Sequence, residues 1–144
     1  MRTSYDDCDF DDDLGRLDRD AVWHFLADTA YWAKNRTREM FDRQLASAWR
    51  VVGVYSADRT IGFARAVSDG VALAYLADVF VLPEFRGRGL GVELVRVMVE
   101  DGPGHDLRWM LHTADAHGLY ARFGFAPPDS GYLERPTRLP VIRP

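Results

Sequence analysis

Six consecutive residues, Arg86-Gly87-Arg88-Gly89-Leu90-Gly91, place three glycines and two arginines where an apolar stretch gives way to a helical pattern. Glycine at a helix start costs stability unless the backbone must turn tightly or something must approach closely. A tight turn there leaves several N–H groups aimed outward at the positive end of the helix dipole. That is an anion site, suited to a phosphate or pyrophosphate. Arg86 and Arg88 add side-chain charge to the same place. The alternative is a turn that only needs glycine's freedom. Neither common nucleotide motif fits, since no Lys-Ser/Thr pair follows the glycines and their G-x-G-x-G spacing lies mid-chain.

Asp78 is the second residue with chemical potential, because a carboxylate between Ala77 and Val79 in an apolar strand is costly to bury alone. It needs backbone donors, an arginine such as Arg65, or a wet cavity. Tyr75, earlier on the same strand, either lines that cavity or belongs to the core. Tyr31 and Trp32 fall in a break between two helices, where their faces suit a cationic or planar ligand or simply pack the helices. His112 and His117 lie five positions apart with no third ligand nearby, so no metal site is expected. The single cysteine, Cys8, has no disulfide or C-x-x-C partner and is read as a bystander remote from this chemistry.

The elements that must position these residues follow from periodicity. Ser4 to Phe10 reads as a short edge strand. Asp18 or Asp20 caps a helix with Val22, Phe25, Leu26 and Ala30 on one face, and Thr37 opens another with Phe41, Leu45 and Ala48. Trp49–Tyr55 and Thr60–Val67 form a hairpin. Ala72–Leu82 is so uniformly apolar that it reads as a strand covered on both faces. A helix carries Leu90, Leu94, Val97 and Met98 and stops at Asp101-Gly102-Pro103-Gly104. Leu107–Thr113 is a strand, Ala116–Arg122 a short helix, and further extended pieces begin at Gly124-Phe125 and at Tyr132–Glu134.

Composition narrows the class. At 144 residues with 47% hydrophobic and 28% charged residues, the chain suits one globular domain spanning 1–144. The net charge of −4 is concentrated at the start, where positions 6, 7, 9, 11, 12 and 13 are all Asp, and the remainder is nearly balanced. That acidic run is expected to be solvated, and with no basic face a nucleic-acid partner is not expected. No apolar run reaches the roughly 20 residues a membrane helix needs, and the first residues lack a signal-peptide pattern. A soluble, cytoplasmic protein without a membrane partner is expected. One lysine among 18 basic residues points to a GC-rich bacterial genome.

The stretch Val79-Phe80-Val81-Leu82-Pro83-Glu84-Phe85-Arg86-Gly87-Arg88-Gly89-Leu90-Gly91 resembles the acetyl-CoA-binding signature of the GNAT superfamily of N-acetyltransferases. That signature is a strand followed by [Arg/Gln]-x-x-Gly-x-[Gly/Ala], met here by Arg86, Gly89 and Gly91. A second family signature, Ala-x-x-Leu-Tyr-x-x-x-Gly-Phe after a strand, is matched by Ala116, Leu119, Tyr120, Gly124 and Phe125. One position departs: where members often carry Asn, seven residues before the Tyr, Thr113 stands.

The resemblance implies an α/β layered fold, GNAT-like, with a mixed, mostly antiparallel central sheet flanked by helices and splayed at the cofactor strand. It implies that the backbone of Val79, Phe80 and Val81 pairs with the pantetheine arm of acetyl-CoA. The loop Arg86, Gly87, Arg88, Gly89, Leu90 and Gly91 would hold the pyrophosphate. Tyr120 sits at the family's general-acid position. Asp78 sits where an acidic residue often faces the acceptor amine, as anchor or base, with a structural carboxylate as the alternative. Tyr31, Trp32 and Tyr75 would surround the acceptor. The implied activity is transfer of acetyl from acetyl-CoA to a primary amine, leaning towards a small molecule, by direct attack and without a covalent intermediate. A non-catalytic CoA-binding module on the same fold is the alternative. An exposed strand edge or the first helices could pair two copies as a homodimer.

Overall fold

Asp6 and Asp7 both have positive φ, 51° and 58°, and close a two-residue turn between β1 (Arg2–Tyr5) and β2 (Cys8–Asp11). Two left-handed residues in succession match the right-handed twist of a hairpin, and Asp tolerates that conformation better than most residues. The single edge strand expected over Ser4–Phe10 is therefore two strands and a turn. The acidic run is not merely solvated either. Asp9 pairs with Arg2 and Arg16, Asp11 with Arg16, Asp12 with the chain's amino terminus and with Arg50, and Asp6 with Arg88. Asp9 and Asp11 alternate with the core residues Cys8 and Phe10, so the pairing is what permits an acidic strand.

The computed structural model describes residues 1–29 and 35–142. After the hairpin come α1 (Arg19–Asp28), α2 (Arg38–Ser47), β3 (Arg50–Ser56), β4 (Arg59–Ser68), β5 (Leu73–Val81), α3 (Leu90–Val99), β6 (Arg108–Leu111) and α4 (His117–Ala121). Asp18 Oδ1 accepts from the Ala21 N–H and Thr37 Oγ1 from the Met40 N–H, so both expected N-caps form. The six strands lie in the order β1-β2-β3-β4-β5-β6, antiparallel except for the parallel β5–β6 pair.

Helices cover both faces of the sheet. Val22, Leu26, Phe41 and Leu45 of α1 and α2 pack on Val51, Phe63 and Phe80 on one side. Leu90, Leu94, Val97 and Met98 of α3 pack on Phe10, Val52, Val54, Ala64 and Leu76 on the other. Neighbouring positions on β3 and β4 thus serve opposite layers, as the two-residue period of a strand requires. Arg50 ties α3 down: buried, it donates from Nη1 to the Val97 and Met98 carbonyls at 2.9 and 3.0 Å, satisfying acceptors that a helix end leaves open.

β5 departs from expectation in the way that creates the site. Buried and half-buried residues alternate along it, Leu76 packing towards α3 and Phe80 towards α1 and α2, while the half-buried Tyr75, Ala77 and Val79 line a cleft. Its register against β4 shifts between Phe63↔Phe80 and Arg65↔Ala77, leaving Asp78 and Val79 opposite Ala64 alone. This is a β-bulge, with Asp78 in the left-handed region at φ 58°. β6 pairs with β5 only from Leu73 to Leu76, so past the bulge the two strands part and Val79–Val81 keep β4 as their one sheet neighbour. The sheet is splayed there.

Among the described residues no strand forms after α4, against the extended pieces expected at Gly124-Phe125 and Tyr132–Glu134. Pro127, Pro128, Pro136 and Pro140 punctuate this stretch, and each removes a ladder donor. The tail instead runs beside the cleft, where Asn35 Nδ2 donates to the Leu139 and Pro140 carbonyls at 3.0 and 3.1 Å. Among the described residues no helix is long and apolar enough to cross a membrane.

Candidate active site

The splay between β5 and β6 opens into a cleft of about 1080 Å³, lined by Asp78–Val81, the glycine loop, the start of α4 and the tail residues Glu134, Thr137 and Leu139. At its glycine-loop end, Gly87 and Gly89 have φ of 82° and 80°, so their glycines are required by the turn itself. Gly91 is different. It lies in the first turn of α3 with ordinary φ, and a Cβ there would meet only Leu119 Cδ1 at 3.7 Å. Neither the backbone nor the packing needs glycine at 91, although glycine costs a helix about 1 kcal/mol. A group approaching the helix end closely is the remaining explanation. Gly89 caps α3 without a side chain, and the first intrahelical bond is Glu93 N–H to the Gly89 carbonyl. The N–H groups of Leu90, Gly91 and Val92 thus stand at the cleft without intrahelical partners.

The two loop arginines part company. Arg86 lines the cleft and donates from Nε to the Val81 carbonyl at 3.0 Å, folding back over the end of β5. Arg88 turns away from the cleft to the hairpin, giving Nε to Asp6 Oδ2 at 2.8 Å and Nη2 to the Asp6 carbonyl at 2.9 Å. Its neighbour there is Cys8, with Sγ 4.0 Å from Arg88 Nη2. Cys8 is therefore close to the glycine loop and not remote from it. It is fully buried, burial pushes its thiol pKa up, and it does not line the cleft.

Asp78 lies on the floor, 6% exposed, between two guanidinium groups. Arg36 approaches end-on with Nη1 2.7 Å from Oδ2 and Nη2 2.9 Å from Oδ1, and Arg65 Nε lies 2.9 Å from Oδ2. Burial opposes ionisation of this carboxyl, but hydrogen bonds and charge from Arg36 and Arg65 outweigh it and hold its pKa below the usual range. A carboxylate in that state is a weak base.

Tyr120, 9% exposed, reaches the cleft from α4 and packs edge-on to Phe125, ring centroids 5.8 Å apart. Thr113 Oγ1 accepts from the Ala116 N–H at 3.0 Å, so the residue standing where Asn is frequent fixes the start of α4. Across the cleft, Tyr75 Oη is 2.8 Å from His112 Nδ1, and His112 Nε2 is 2.8 Å from Glu134 Oε2. With Nε2–H donated to Glu134, Nδ1 accepts and the Tyr75 hydroxyl donates. Burial pushes the Tyr75 pKa up, with Tyr132 and Glu134 adding to the shift, so the phenol is protonated at neutral pH.

Residues 19–125 match the acetyltransferase (GNAT) family. The chain belongs to that family. A GNAT-family structure from Xanthomonas campestris pv. campestris, described as an acetyltransferase, superposes with a TM-score of 0.82 at 37% identity, covering 90% of this chain and 93% of that one. A Gibberella zeae protein named for acetyltransferase activity is 30% identical over 112 residues, which are 75% of this chain and 61% of that protein. The rice chloroplastic serotonin N-acetyltransferase 2 is 38% identical over 73 residues, 49% of this chain and 36% of that protein. The chain thus matches less than two thirds of the length of each of these curated relatives.

GNAT acetyltransferases use acetyl-CoA, and the cleft has features that suit such a ligand: an uncapped helix end with open space at Gly91 and a Val79–Val81 edge freed from β6. Val79, Phe80, Val81, Arg86, Gly87, Gly89, Leu90, Gly91, Asp78, Tyr75 and Tyr120 all line it, and Arg88 does not. Tyr31 and Trp32 lie outside the described residues. Among the described residues no cluster of His, Cys, Asp or Glu could hold a metal ion, and His117 is exposed and away from the cleft. Arg36, His112 and Glu134 were not singled out for the acceptor side by sequence. Arg36 meets Asp78 across 42 positions of chain, His112 meets Tyr75 across 37 and Glu134 meets His112 across 22, where no local spacing signals them.

Proposed function

We propose that this GNAT acetyltransferase transfers the acetyl group of acetyl-CoA to the primary amine of a small molecule. The observation that carries this reading is that one cleft presents both halves of the chemistry. The bare N-terminus of α3 and the Val79–Val81 edge lie at one end, and Tyr120 and the Tyr75–His112–Glu134 chain flank the space beyond.

Acetyl-CoA supplies an activated acyl group as its thioester. The amine enters as an ammonium with a pKa near 10 and has no lone pair until a proton leaves. Tyr75 receives that proton at Oη while passing its own to His112 Nδ1, and Glu134 holds the resulting imidazolium through Nε2–H, the logic of a hydroxyl–histidine–carboxylate array. The neutral nitrogen then bonds to the acetyl carbon as the carbon–sulfur bond breaks, Tyr120 donates its proton to the departing sulfur, and the second proton that the nitrogen sheds in becoming an amide returns through water to the Tyr120 oxygen. Asp78 holds Arg36 and Arg65 in place as a positioning residue, since its paired, buried carboxylate suits that better than proton abstraction.

The test is release of free thiol from acetyl-CoA with a panel of small primary amines, with the N-acetyl product identified by mass. Amine-dependent thiol release supports the reading. Binding of CoA without any amine-dependent release would leave a CoA-binding module on this fold.

A further inference from the structure

Arg36, Arg65 and Asp78 are all buried, and the Asp78 carboxylate faces both guanidinium groups. A buried cation with donors left open is costly, so a fold that keeps one has a use for it.

The two arginines are not equivalent. Arg36 gives Nη1 to Gln44 Oε1 at 2.8 Å and to Asp78, and Nη2 to Asp78. Arg65 gives Asp78 only its Nε. Its two Nη nitrogens meet no acceptor among the described residues, although the side chain is only 9% exposed and lines the cleft. Asp78 is its ion-pair partner, while Glu134, a tail acid that lines the same cleft, is held by His112. A guanidinium with both Nη groups open is a planar fork shaped for an anion with two oxygens. Arg65 stands opposite Ala77, upstream of the bulge, whereas the phosphate-binding loop begins beyond Val81, so the two anion sites are served by different parts of β5.

We propose that the acceptor carries a carboxylate as well as its amine, and that the Arg65 Nη nitrogens receive this carboxylate while the amine meets Tyr75. The inference rests on the acetyl-transfer reading and names its substrate class as amino acids and related amino carboxylates. The planar, two-oxygen carboxylate matches the planar fork of Arg65, and the tetrahedral phosphonate is the competing shape that the test includes.

The test needs no turnover. CoA is first bound to the protein, and N-acetylated amino acids are titrated calorimetrically beside their C-terminal amides and the matching aminophosphonates. At least one acid is expected to bind ten-fold or more tightly than its amide, and more tightly than its phosphonate. Arg65→Gln should bring acid and amide to within about twofold, and Arg65→Lys, which keeps the charge without the fork, should fall between. Equal binding of acids and amides across the panel, an acid preference that survives Arg65→Gln, or a stronger phosphonate would each overturn the inference. The wild-type comparison stands even where a variant folds poorly. Failure of CoA itself to bind would instead remove the acetyl-transfer reading on which the inference rests.

Discussion

Arg36 and Asp78 meet end-on through two hydrogen bonds of 2.7 and 2.9 Å, although 42 residues separate them in the chain. The contact joins the residue just before α2's N-cap to the bulge of β5, so the turn leading into α2 is pinned over the cleft floor. Arg65 completes the cluster from β4. Three elements on one face of the sheet thus converge on a single carboxylate.

Replacing that carboxylate should be severe. Asp78→Asn leaves two buried guanidinium groups facing an amide, and breaking a buried pair typically costs about 3–5 kcal/mol. At this chain length that lowers Tm by about 10 °C or more. Because the Asp78 pKa is depressed in the fold, its contribution is present above the unfolded value of about 4 and is lost as pH falls through the folded one. Acid unfolding of Asp78→Asn should accordingly be less steep below about pH 4 than that of the wild type. Identical Tm and identical acid titration would remove Asp78 from the cluster's energetics.

Tyr120→Phe keeps the ring contact with Phe125 and deletes only the hydroxyl. The expected result is a kcat at least tenfold lower with acetyl-CoA affinity near wild type, in keeping with the 10²–10⁴-fold range of general acid catalysis. Steady-state kinetics beside a CoA titration read both quantities, and an unchanged kcat would remove Tyr120 as the acid.

His112→Gln should lower kcat/KM for the amine while leaving CoA binding intact. Tyr75→Phe should do the same, and the double variant should be little worse than either alone, since residues acting as a unit are non-additive. Additive losses would separate Tyr75 from His112 functionally.

Gly91→Ala distinguishes ligand space from fold. The added methyl meets only Leu119 at an ordinary distance, so Tm should be unchanged or slightly raised, while CoA affinity falls tenfold or more. Gly89→Ala should damage both, because its φ of 80° strains an alanine and the methyl would come within 3.0 Å of the Tyr5 hydroxyl. Equal CoA affinity in Gly91→Ala and wild type would mean nothing approaches the helix there.

Much of the site was legible because its residues answer local demands. The glycine loop and the Ala116–Phe125 stretch read as motifs since each serves its own turn or helix, and the N-caps Asp18 and Thr37 signal their helices within three residues. What stayed hidden depends on chain crossings. Tyr75, His112 and Glu134 come together only because β6 runs parallel to β5 and the tail passes back beside the cleft, and Arg36 reaches Asp78 only because α2 is laid against the sheet. The β1–β2 hairpin was obscured by its own acidity, since aspartates on alternate positions look solvated until Arg2, Arg16 and Arg50 are seen opposite them. At the tail, extended pieces are expected at Gly124-Phe125 and Tyr132–Glu134, but the prolines remove the donors that a ladder would use.

The measurement that bears most directly on the account is thermal unfolding with acetyl-CoA, CoA and ATP in parallel. A ligand at 100 times its Kd adds about 2.7 kcal/mol, a rise of several degrees for a chain of this length. The account predicts that rise with acetyl-CoA and CoA, and none with ATP. No shift with either CoA species at millimolar concentration would contradict it, because the uncapped end of α3 and the freed edge of β5 would then not be a working CoA site.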